Sequence, residues 1–403
     1  MVVPSRIGSL AARAIFLISS HRHQNTNKAN YDEDTLTAAR AVQGWYNGAE
    51  GIYDTTGWWN SANVLTTLTD WATYAGSNTG GIDVPGIIAN TFKQAQLQVV
   101  TVQKTLSAAG MVSSKYLYEH VNPNIGKRGF DDFLNQFYDD EGWWALALIR
   151  SWDVTKNKEY LDMAESIFRD MQNGTDAICG GGSFWNKDRK YKNAITNELY
   201  LSVAASLANR VAGSKDKYLK IAQDQWAWFK RSGMINKDNL INDGLRMQED
   251  GKCVNNGLQT WSYNQGVVLG GLVELSKATG GDQSYIAEAV AIGKAAVKAL
   301  TFNETTGIIR EIDRCEPNCG DDGLQFKGIF MRNLHYLYRA APHPEFERAI
   351  IKNADSIWAN NRNGQNQMGI DWRGPPNVGR GPTAGTHGSA MDVLVGAMGV
   401  VRQ

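Results

Sequence analysis

The chain has 403 residues, of which 42% are hydrophobic and 20% are charged, a composition typical of a folded globular protein. Its 41 Lys and Arg residues balance its 41 Asp and Glu residues, so no net charge draws it to nucleic acid or to an anionic membrane, and a neutral partner is favoured. Thirteen Trp and fifteen Tyr residues are a large number, and flat aromatic faces suit the C–H faces of sugars, although most such rings pack in a core.

Residues 1–29 are interpreted as an N-terminal tail or a degenerate signal segment, because Arg13 interrupts a short apolar patch. Residues 30–403 are then expected to form a single domain. No apolar run reaches the roughly 18 residues that a membrane span requires, and the C-terminus lacks the hydrophobic tail of a lipid-anchor signal. Sequons that begin at Asn173 and Asn303 favour a soluble protein that follows the secretory route.

Four cysteines favour the same route. They are Cys179, Cys253, Cys315 and Cys319. The last two flank a three-residue loop and suit a local disulfide, which would leave the first two to form a second one. Four cysteines allow three pairings, so the connectivity stays open at this point. Because there is no CxxC pair and no cluster of His residues, we expect no metal site.

Two kinds of helical segment alternate along the rest of the chain. The first kind is amphipathic and contains an aromatic residue followed four residues later by Ala, in the clearest copies. Aligned on that aromatic, the copies recur every 58 to 67 residues, at Tyr160, Tyr218, Tyr285 and, more loosely, Phe346. Repeats of this length predict a supersecondary unit that is stacked on copies of itself.

The second kind of segment is apolar nearly all round, so it must be buried on most sides. Six such segments start at Trp58, Gly142, Asn193, Trp261, Phe326 and Gly385. Six inner helices, each with an amphipathic outer partner, predict an all-α fold, an (α/α)6 toroid. An open solenoid would need polar end caps and would rarely contain helices without a polar face. No long run alternates with period two, so we expect few strands.

Three pairs of adjacent aspartates are candidates for chemistry: Asp131–Asp132, Asp139–Asp140 and Asp321–Asp322. Such pairs are often only helix caps. Asp139 and Asp140 differ because they open an inner helix and meet Trp143 and Trp144. The helix N-terminus favours one ionised carboxylate, while the neighbouring charge and the apolar rings keep a proton on the other. Glycoside hydrolysis requires one carboxylate and one protonated carboxyl, and adjacent residues suit the ~5–5.5 Å separation of retaining enzymes.

The segments that carry these residues resemble a known family. The blocks YDDEGWWALALIRSWDVT, GWWNSANVLTTLTDW and WSYNQGVVLGGLVEL, with CGGGSFWN and YKNAITNELYL, are similar to glycoside hydrolase family 76, especially its fungal members. The resemblance extends from about Tyr31 to the C-terminus. It implies an (α/α)6 fold and a retaining endo-α-1,6-mannanase in which Asp139 is the nucleophile and Asp140 is the general acid/base.

The implied partner is α-1,6-mannan or its oligosaccharides, bound by a secreted or cell-wall-associated monomer that needs no cofactor. The predicted substrate-binding residues are Trp58, Trp59, Asn60, Asn63, Trp143, Trp185, Asn186, Asn197, Tyr263, Asn264 and Gln265. Their rings would stack on sugars and their amides would hydrogen-bond hydroxyl groups. Each of them also has an alternative role as core filler or helix cap.

Two other functions stay open. Related fungal wall proteins are thought to be transglycosylases that act on mannan-bearing glycolipid anchors, and the same site would serve that reaction. A non-catalytic carbohydrate-binding toroid is the alternative from another class. Asp70 and Asp392 lie well inside inner helices and are expected to be buried acids with partners inside the protein.

Overall fold

The computed structural model describes residues 31–97, 100–106, 112–118, 131–301 and 305–402. The predicted tail, residues 1–29, lies outside these ranges. Within them the chain forms twelve α-helices: α1 (31–42), α2 (Trp58–Ala75), α3 (Val84–Gln94), α4 (Tyr138–Thr155), α5 (Lys158–Gln172), α6 (Ala194–Ala208), α7 (Lys215–Ser232), α8 (Ser262–Ala278), α9 (Gln283–Leu300), α10 (Phe326–Ala340), α11 (Pro344–Asn360) and α12 (Ala384–Val400).

The even-numbered helices form a closed inner ring. Each packs on the next, from α2 to α4 and onward to α12, and α12 packs back against α2. The odd-numbered helices lie outside this ring. Because helices joined in sequence alternate in direction, the N-termini of the inner helices share one face. The prediction of an all-α (α/α)6 toroid is confirmed.

Burial separates the two kinds of helix as the sequence pattern indicates. Every residue of α6 and of α12 is buried. The outer helix α5 instead buries one stripe at helical spacing, which includes Tyr160, Ala164 and Phe168. Small residues let the inner helices approach closely. A Cβ at Gly266 of α8 would lie only 2.5 Å from the Phe330 Cα of α10.

The inner helices begin close to their predicted starts, with one informative difference. Helix α4 begins at Tyr138, four residues before the predicted Gly142, so the whole acidic run falls inside its first turn. Acidic groups there interact favourably with the free N–H groups of a helix N-terminus. The early start therefore places Asp139 and Asp140 in the helix itself, with directions set by its backbone.

Three antiparallel strand pairs complete the described part of the chain. They are β1 (Tyr46–Asn47) with β2 (Ile52–Tyr53), β3 (Val100–Leu106) with β4 (Val112–Tyr118), and β5 (Leu245–Met247) with β6 (Cys253–Asn255). Few strands were expected, but the seven-residue pair β3–β4 was missed. It is inserted between α3 and α4, and its register sets Lys104 opposite Ser114. We call this pair the cap hairpin.

The disulfides join Cys179 to Cys253 and Cys315 to Cys319, which is the pairing that the sequence favoured. The first links the loop before α6 to strand β6. Of the two sequon asparagines, Asn173 is exposed, and Asn303 lies outside the described residues. None of the helices in the described ranges has the length and hydropathy to cross a bilayer.

Candidate active site

Asp139 and Asp140 lie at the mouth of the inner ring, on the face where the inner helices begin. Asp139 is 7% exposed and Asp140 is completely buried. Buried carboxyl groups are stable only when they find hydrogen-bond donors or keep their protons. The neighbours of the two carboxyl groups therefore decide their chemistry.

Lys104 of the cap hairpin reaches between the two carboxyl groups. Its Nζ lies 3.1 Å from Asp139 Oδ2 and 2.5 Å from Asp140 Oδ1, and its side chain is only 2% exposed. The ammonium group also lies 4.7 Å from the centre of the Phe137 ring. Burial acts to lower the pKa of Lys104, but Asp139 and Asp140 outweigh burial and raise this pKa above its ordinary value. The cap hairpin thus closes the site with a charged group.

Asp140 has the environment of a carboxyl group that holds a proton near neutral pH. Burial and then the negative charge of Asp139 raise the pKa of Asp140 to about 7, against the opposing effects of Lys104 and Asn135. Asn135 Nδ2 donates a hydrogen bond to Asp140 Oδ2 at 2.7 Å. The pair is therefore able to keep one proton.

Asp139 is oriented by an aromatic side chain from the next repeat. Trp185 Nε1 donates a hydrogen bond to Asp139 Oδ2 at 3.0 Å. Trp185 also packs against Phe137, with ring centres 5.2 Å apart. This contact fixes one Asp139 oxygen, and a fixed carboxylate is what a nucleophile requires.

The separation of the two carboxyl groups follows from their shared contact with Lys104. One nitrogen lies 3.1 Å from Asp139 Oδ2 and 2.5 Å from Asp140 Oδ1, so these oxygens are no farther apart than the sum of those distances. This limit is close to the ~5–5.5 Å of retaining glycosidases. It falls short of the ~6.5–9.5 Å that inverting glycosidases use to hold a water between the groups.

Two further acids near this pair were not among the predicted site residues. Asp322 is buried and accepts hydrogen bonds from Trp59 Nε1 at 3.1 Å and from Ser114 Oγ of the cap hairpin at 2.7 Å. Burial raises the pKa of Asp322 to about 6. Asp322 is the second member of a pair that had been named as a candidate, and it comes shortly before an inner helix. This position just before an inner helix was the sequence signal that could have identified Asp322 as a site residue.

Asp243 is the second of these acids. It lies between α7 and β5, and its backbone oxygen accepts a hydrogen bond at 2.7 Å from the backbone N–H of Ala194, the first residue of α6. Burial raises the pKa of Asp243 to about 6, a hydrogen bond from the Tyr191 hydroxyl opposes this rise, and the charge of Asp139 adds to it. The charges of Asp139, Asp140 and Asp322 thus act on Lys104, and Asp243 lies within the electric field of Asp139.

Four of the predicted aromatic residues lie around these acids. Trp59 stacks on Trp143 with ring centres 5.6 Å apart, and Trp185 contacts Asp139. Tyr263 stacks on Phe326 at 3.8 Å, within the electric field of Asp139 and Asp322. These rings and acids thus form a buried cluster at the ring mouth.

Trp58 has a different environment from the other predicted rings. It packs against Trp144 at 5.2 Å and donates a hydrogen bond to the Ala95 backbone oxygen at 2.9 Å. These contacts belong to the core between α2, α3 and α4. Trp58 could contact a substrate only if it gave up its contacts with Trp144 and Ala95.

Four predicted amides are bonded inside the protein. They are Asn60 with Gln325, Asn63 with Arg332, Asn197 with Ser183, and Gln265 with Ile241. Asn197, for example, accepts from Ser183 N at 2.7 Å and donates to Ser183 O at 2.9 Å. Such bonds position the loops around the ring. Asn264 and the Oδ1 atom of Asn186, by contrast, have no hydrogen-bond partner among the described residues.

Both acids deeper in the ring have partners, as expected, although Asp392 is buried and Asp70 is only partly buried. Asp70 accepts from the Tyr336 hydroxyl, and Asp392 accepts from Thr67 Oγ1 at 2.7 Å. In the described part of the chain, the one group of three potential metal ligands consists of Cys315, Glu316 and Cys319. Since both cysteines are joined in a disulfide, this group is not available to a metal ion.

Comparison with known proteins agrees with this architecture. The sequence profile of glycosyl hydrolase family 76 matches residues 30–399. The chain belongs to glycosyl hydrolase family 76. Among members of family 76, it is 27% identical over 242 residues to the mannan endo-1,6-alpha-mannosidase DFG5 of Candida albicans, with 56% of this chain and 52% of the relative covered. It is 28% identical over 266 residues to DFG5 of Saccharomyces cerevisiae, with 60% and 55% covered.

The chain spans about half the length of the curated relatives it matches. Solved structures of family 76 match more of it. An inactive variant of the α-1,6-mannanase GH76A of Salegentibacter sp. HEL1_6, with two consecutive aspartates changed to asparagine and α-1,6-mannotriose bound, superposes with a TM-score of 0.73 at 20% identity, covering 92% of this chain and 99% of that one. Dfg5 of Chaetomium thermophilum in complex with glucosamine superposes with a TM-score of 0.68 at 20% identity, covering 92% and 90%. These similarities show a shared fold.

Proposed function

We propose that this chain is a retaining glycoside hydrolase that cleaves internal α-1,6-mannosidic linkages of mannan. One observation carries the proposal: two adjacent, buried carboxyl groups share contact with a single nitrogen, and one of them, Asp140, has its pKa raised to about 7. Their separation suits a double displacement, and the aromatic rings around them suit sugar faces.

Two chemical steps follow from this arrangement. In the first, an Asp139 oxygen attacks the anomeric carbon while Asp140 gives its proton to the departing O6, so a glycosyl–enzyme ester forms as the glycosidic bond breaks. In the second, Asp140 takes a proton from water, which attacks the same carbon and releases Asp139. Inversion occurs twice, so the product keeps the α configuration.

Mannan is favoured as the substrate by the relatives of this chain. Several of them are named mannan endo-1,6-alpha-mannosidase. The inactive mannanase variant in which two consecutive aspartates are replaced supports the same role for Asp139 and Asp140. Two disulfides fit an oxidising compartment, which supports a secreted or cell-wall-associated protein. We expect residues 30–403 to act as a single catalytic domain and as a monomer.

Unbranched α-1,6-mannan provides the direct test. Proton NMR of the first products should show oligosaccharides with new α-anomeric reducing ends. Asp139→Asn and Asp140→Asn should each lower the rate by ~10²–10⁴-fold. Asp224→Asn, on the outer surface of α7, is the matched control and should leave the rate unchanged. Initial β-anomers, or no cleavage by the unchanged protein, would contradict the proposal.

A second candidate is transfer of the glycosyl group to another glycan instead of to water. The contact of Lys104 with Asp139 and Asp140 supports it, because the site already holds an ammonium group and an amino sugar carries one too. The Chaetomium Dfg5 structure contains glucosamine. Adding oligosaccharides with a terminal glucosamine during cleavage separates the two reactions. Transfer yields longer products by mass spectrometry, whereas hydrolysis leaves the product masses unchanged.

A further inference from the structure

Several buried polar atoms on the inner helices have no hydrogen-bond partner in the described part of the chain, and two residues, Glu198 and Asn264, each contribute two of them. Both carboxyl oxygens of Glu198 and both amide atoms of Asn264 are unpaired, and both residues are completely buried. Native proteins leave very few buried polar groups without a partner, because removing such a group from water costs free energy. Because Glu198 and Asn264 leave four polar atoms unpaired, we infer that a ligand binds to these two side chains.

The helix geometry places both side chains just below the aspartate pair. Trp143, Ser202 and Val267 line the central cavity of the ring. Glu198 is four residues before Ser202, and Asn264 is three residues before Val267, so each lies on the same helix face one turn closer to the mouth. Asp139 likewise lies four residues before Trp143 and one turn closer to the mouth. Glu198 and Asn264 thus face the axis at the level of Asp139.

The chemistry of the two side chains suits a neutral ligand. Burial, and to a smaller extent the charge of Asp243, raises the pKa of Glu198 well above its ordinary value. No cation pairs with Glu198 in the ranges that the structure describes. A protonated carboxyl offers one donor and an acceptor, and the Asn264 amide offers donors and an acceptor. Sugar hydroxyl groups, which both donate and accept, match this set better than an ion does.

We propose that Glu198 and Asn264 bind hydroxyl groups of the mannosyl residue that occupies the site at Asp139 and Asp140. This inference rests on the proposed function for the identity of the sugar. It makes Glu198 a substrate-binding residue beside the aspartate pair, and it explains why its carboxyl group is left without a partner among the described residues. Burying these unpaired polar atoms costs free energy when the protein folds, and hydrogen bonds to the sugar offset that cost when it binds.

The test compares stability with affinity in two variants. Glu198→Met removes the unpaired carboxyl group at similar size, so Tm without ligand should rise by a few degrees. The increase in Tm on adding α-1,6-mannotriose should shrink, and KM for α-1,6-mannan should rise about 10-fold, the effect of one lost hydrogen bond. Glu198→Gln keeps donors and an acceptor and should retain most of the mannotriose effect.

A paired glutamate on the same ring provides the control. Glu274 contacts Arg210 at 2.8 Å and Lys277 at 3.2 Å, so Glu274→Met should lower Tm instead. The inference is overturned if Glu198→Met lowers Tm in the same way, since the carboxyl group would then stabilise the fold. It is also overturned if Glu198→Met raises Tm and leaves the mannotriose effect unchanged, as a buried water in place of the sugar would predict.

Failure of the proposed function gives a different result. If the unchanged protein binds mannotriose but does not cleave mannan, the hydrolase proposal fails, and the Glu198 variants still test the binding inference. If mannotriose does not raise the Tm of the unchanged protein, the binding inference itself is overturned.

Discussion

Replacing Lys104 with Met removes the ammonium group between Asp139 and Asp140 and keeps a side chain of similar length. In the structure this ammonium occupies the space where a sugar would meet both carboxyl groups. It also stabilises the ionised form of Asp140, which has to donate a proton in the proposed mechanism. We therefore expect that substrate has to displace Lys104 before the proposed reaction can take place.

The size of the effect follows from the contacts that hold Lys104. Hydrogen bonds to charged groups contribute about 1.5–3 kcal/mol each, and Lys104 binds two carboxyl groups. Burial of the ammonium group offsets part of this. A net value of ~2 kcal/mol for closing the cap corresponds to roughly 30-fold in an equilibrium constant. Because substrate binds only the open fraction, Lys104→Met should lower KM for α-1,6-mannan by ~10- to 30-fold without lowering kcat.

Steady-state kinetics on α-1,6-mannan test this expectation. Lys115→Met is the matched control, because Lys115 is an exposed lysine on the other strand of the cap hairpin and should leave KM unchanged. The pH profile gives a second readout. Since Lys104 lowers the pKa of Asp140, its removal should move the alkaline limb of kcat/KM to higher pH. A fall in kcat with KM unchanged would refute the reasoning, because Lys104 would then take part in the chemistry.

Three further outcomes are expected. In the unchanged protein, kcat/KM should fall as pH rises above about 7, since Asp140 loses the proton that the leaving oxygen needs, and a pH–rate profile checks this. Trp185→Phe removes the indole hydrogen bond to Asp139, so kcat should fall by about 10- to 100-fold with little change in KM; an unaltered kcat would argue against this bond. Replacing Cys179 and Cys253 with Ser opens a link across a sequence separation of 74 and should reduce the free energy of unfolding by ~4 kcal/mol, measured by denaturant titration; a loss no larger than that for the local disulfide would contradict the loop-entropy argument.

The sequence alone determined the helices and their arrangement. Segments that are apolar on all sides must be buried, and segments with one polar face must lie outside them, so inner and outer helices could be told apart without coordinates. The residues that open α4 could also be placed at the ring mouth, because a helix start and its side-chain directions depend on near neighbours. Both predictions rest on interactions within a few residues of the chain.

The partners of the site were decided only by the tertiary structure. Lys104 lies 36 residues from Asp140 in the sequence, and Trp59 lies 263 residues from the Asp322 carboxyl group that it contacts. No periodicity connects such residues. The same holds for Asn197, whose amide reaches a loop instead of the aspartate pair, and for Glu198, whose lack of a partner is visible only when its whole surroundings are known. Hydrophobic pattern is a local property, whereas satisfaction of a buried polar group depends on everything packed around it.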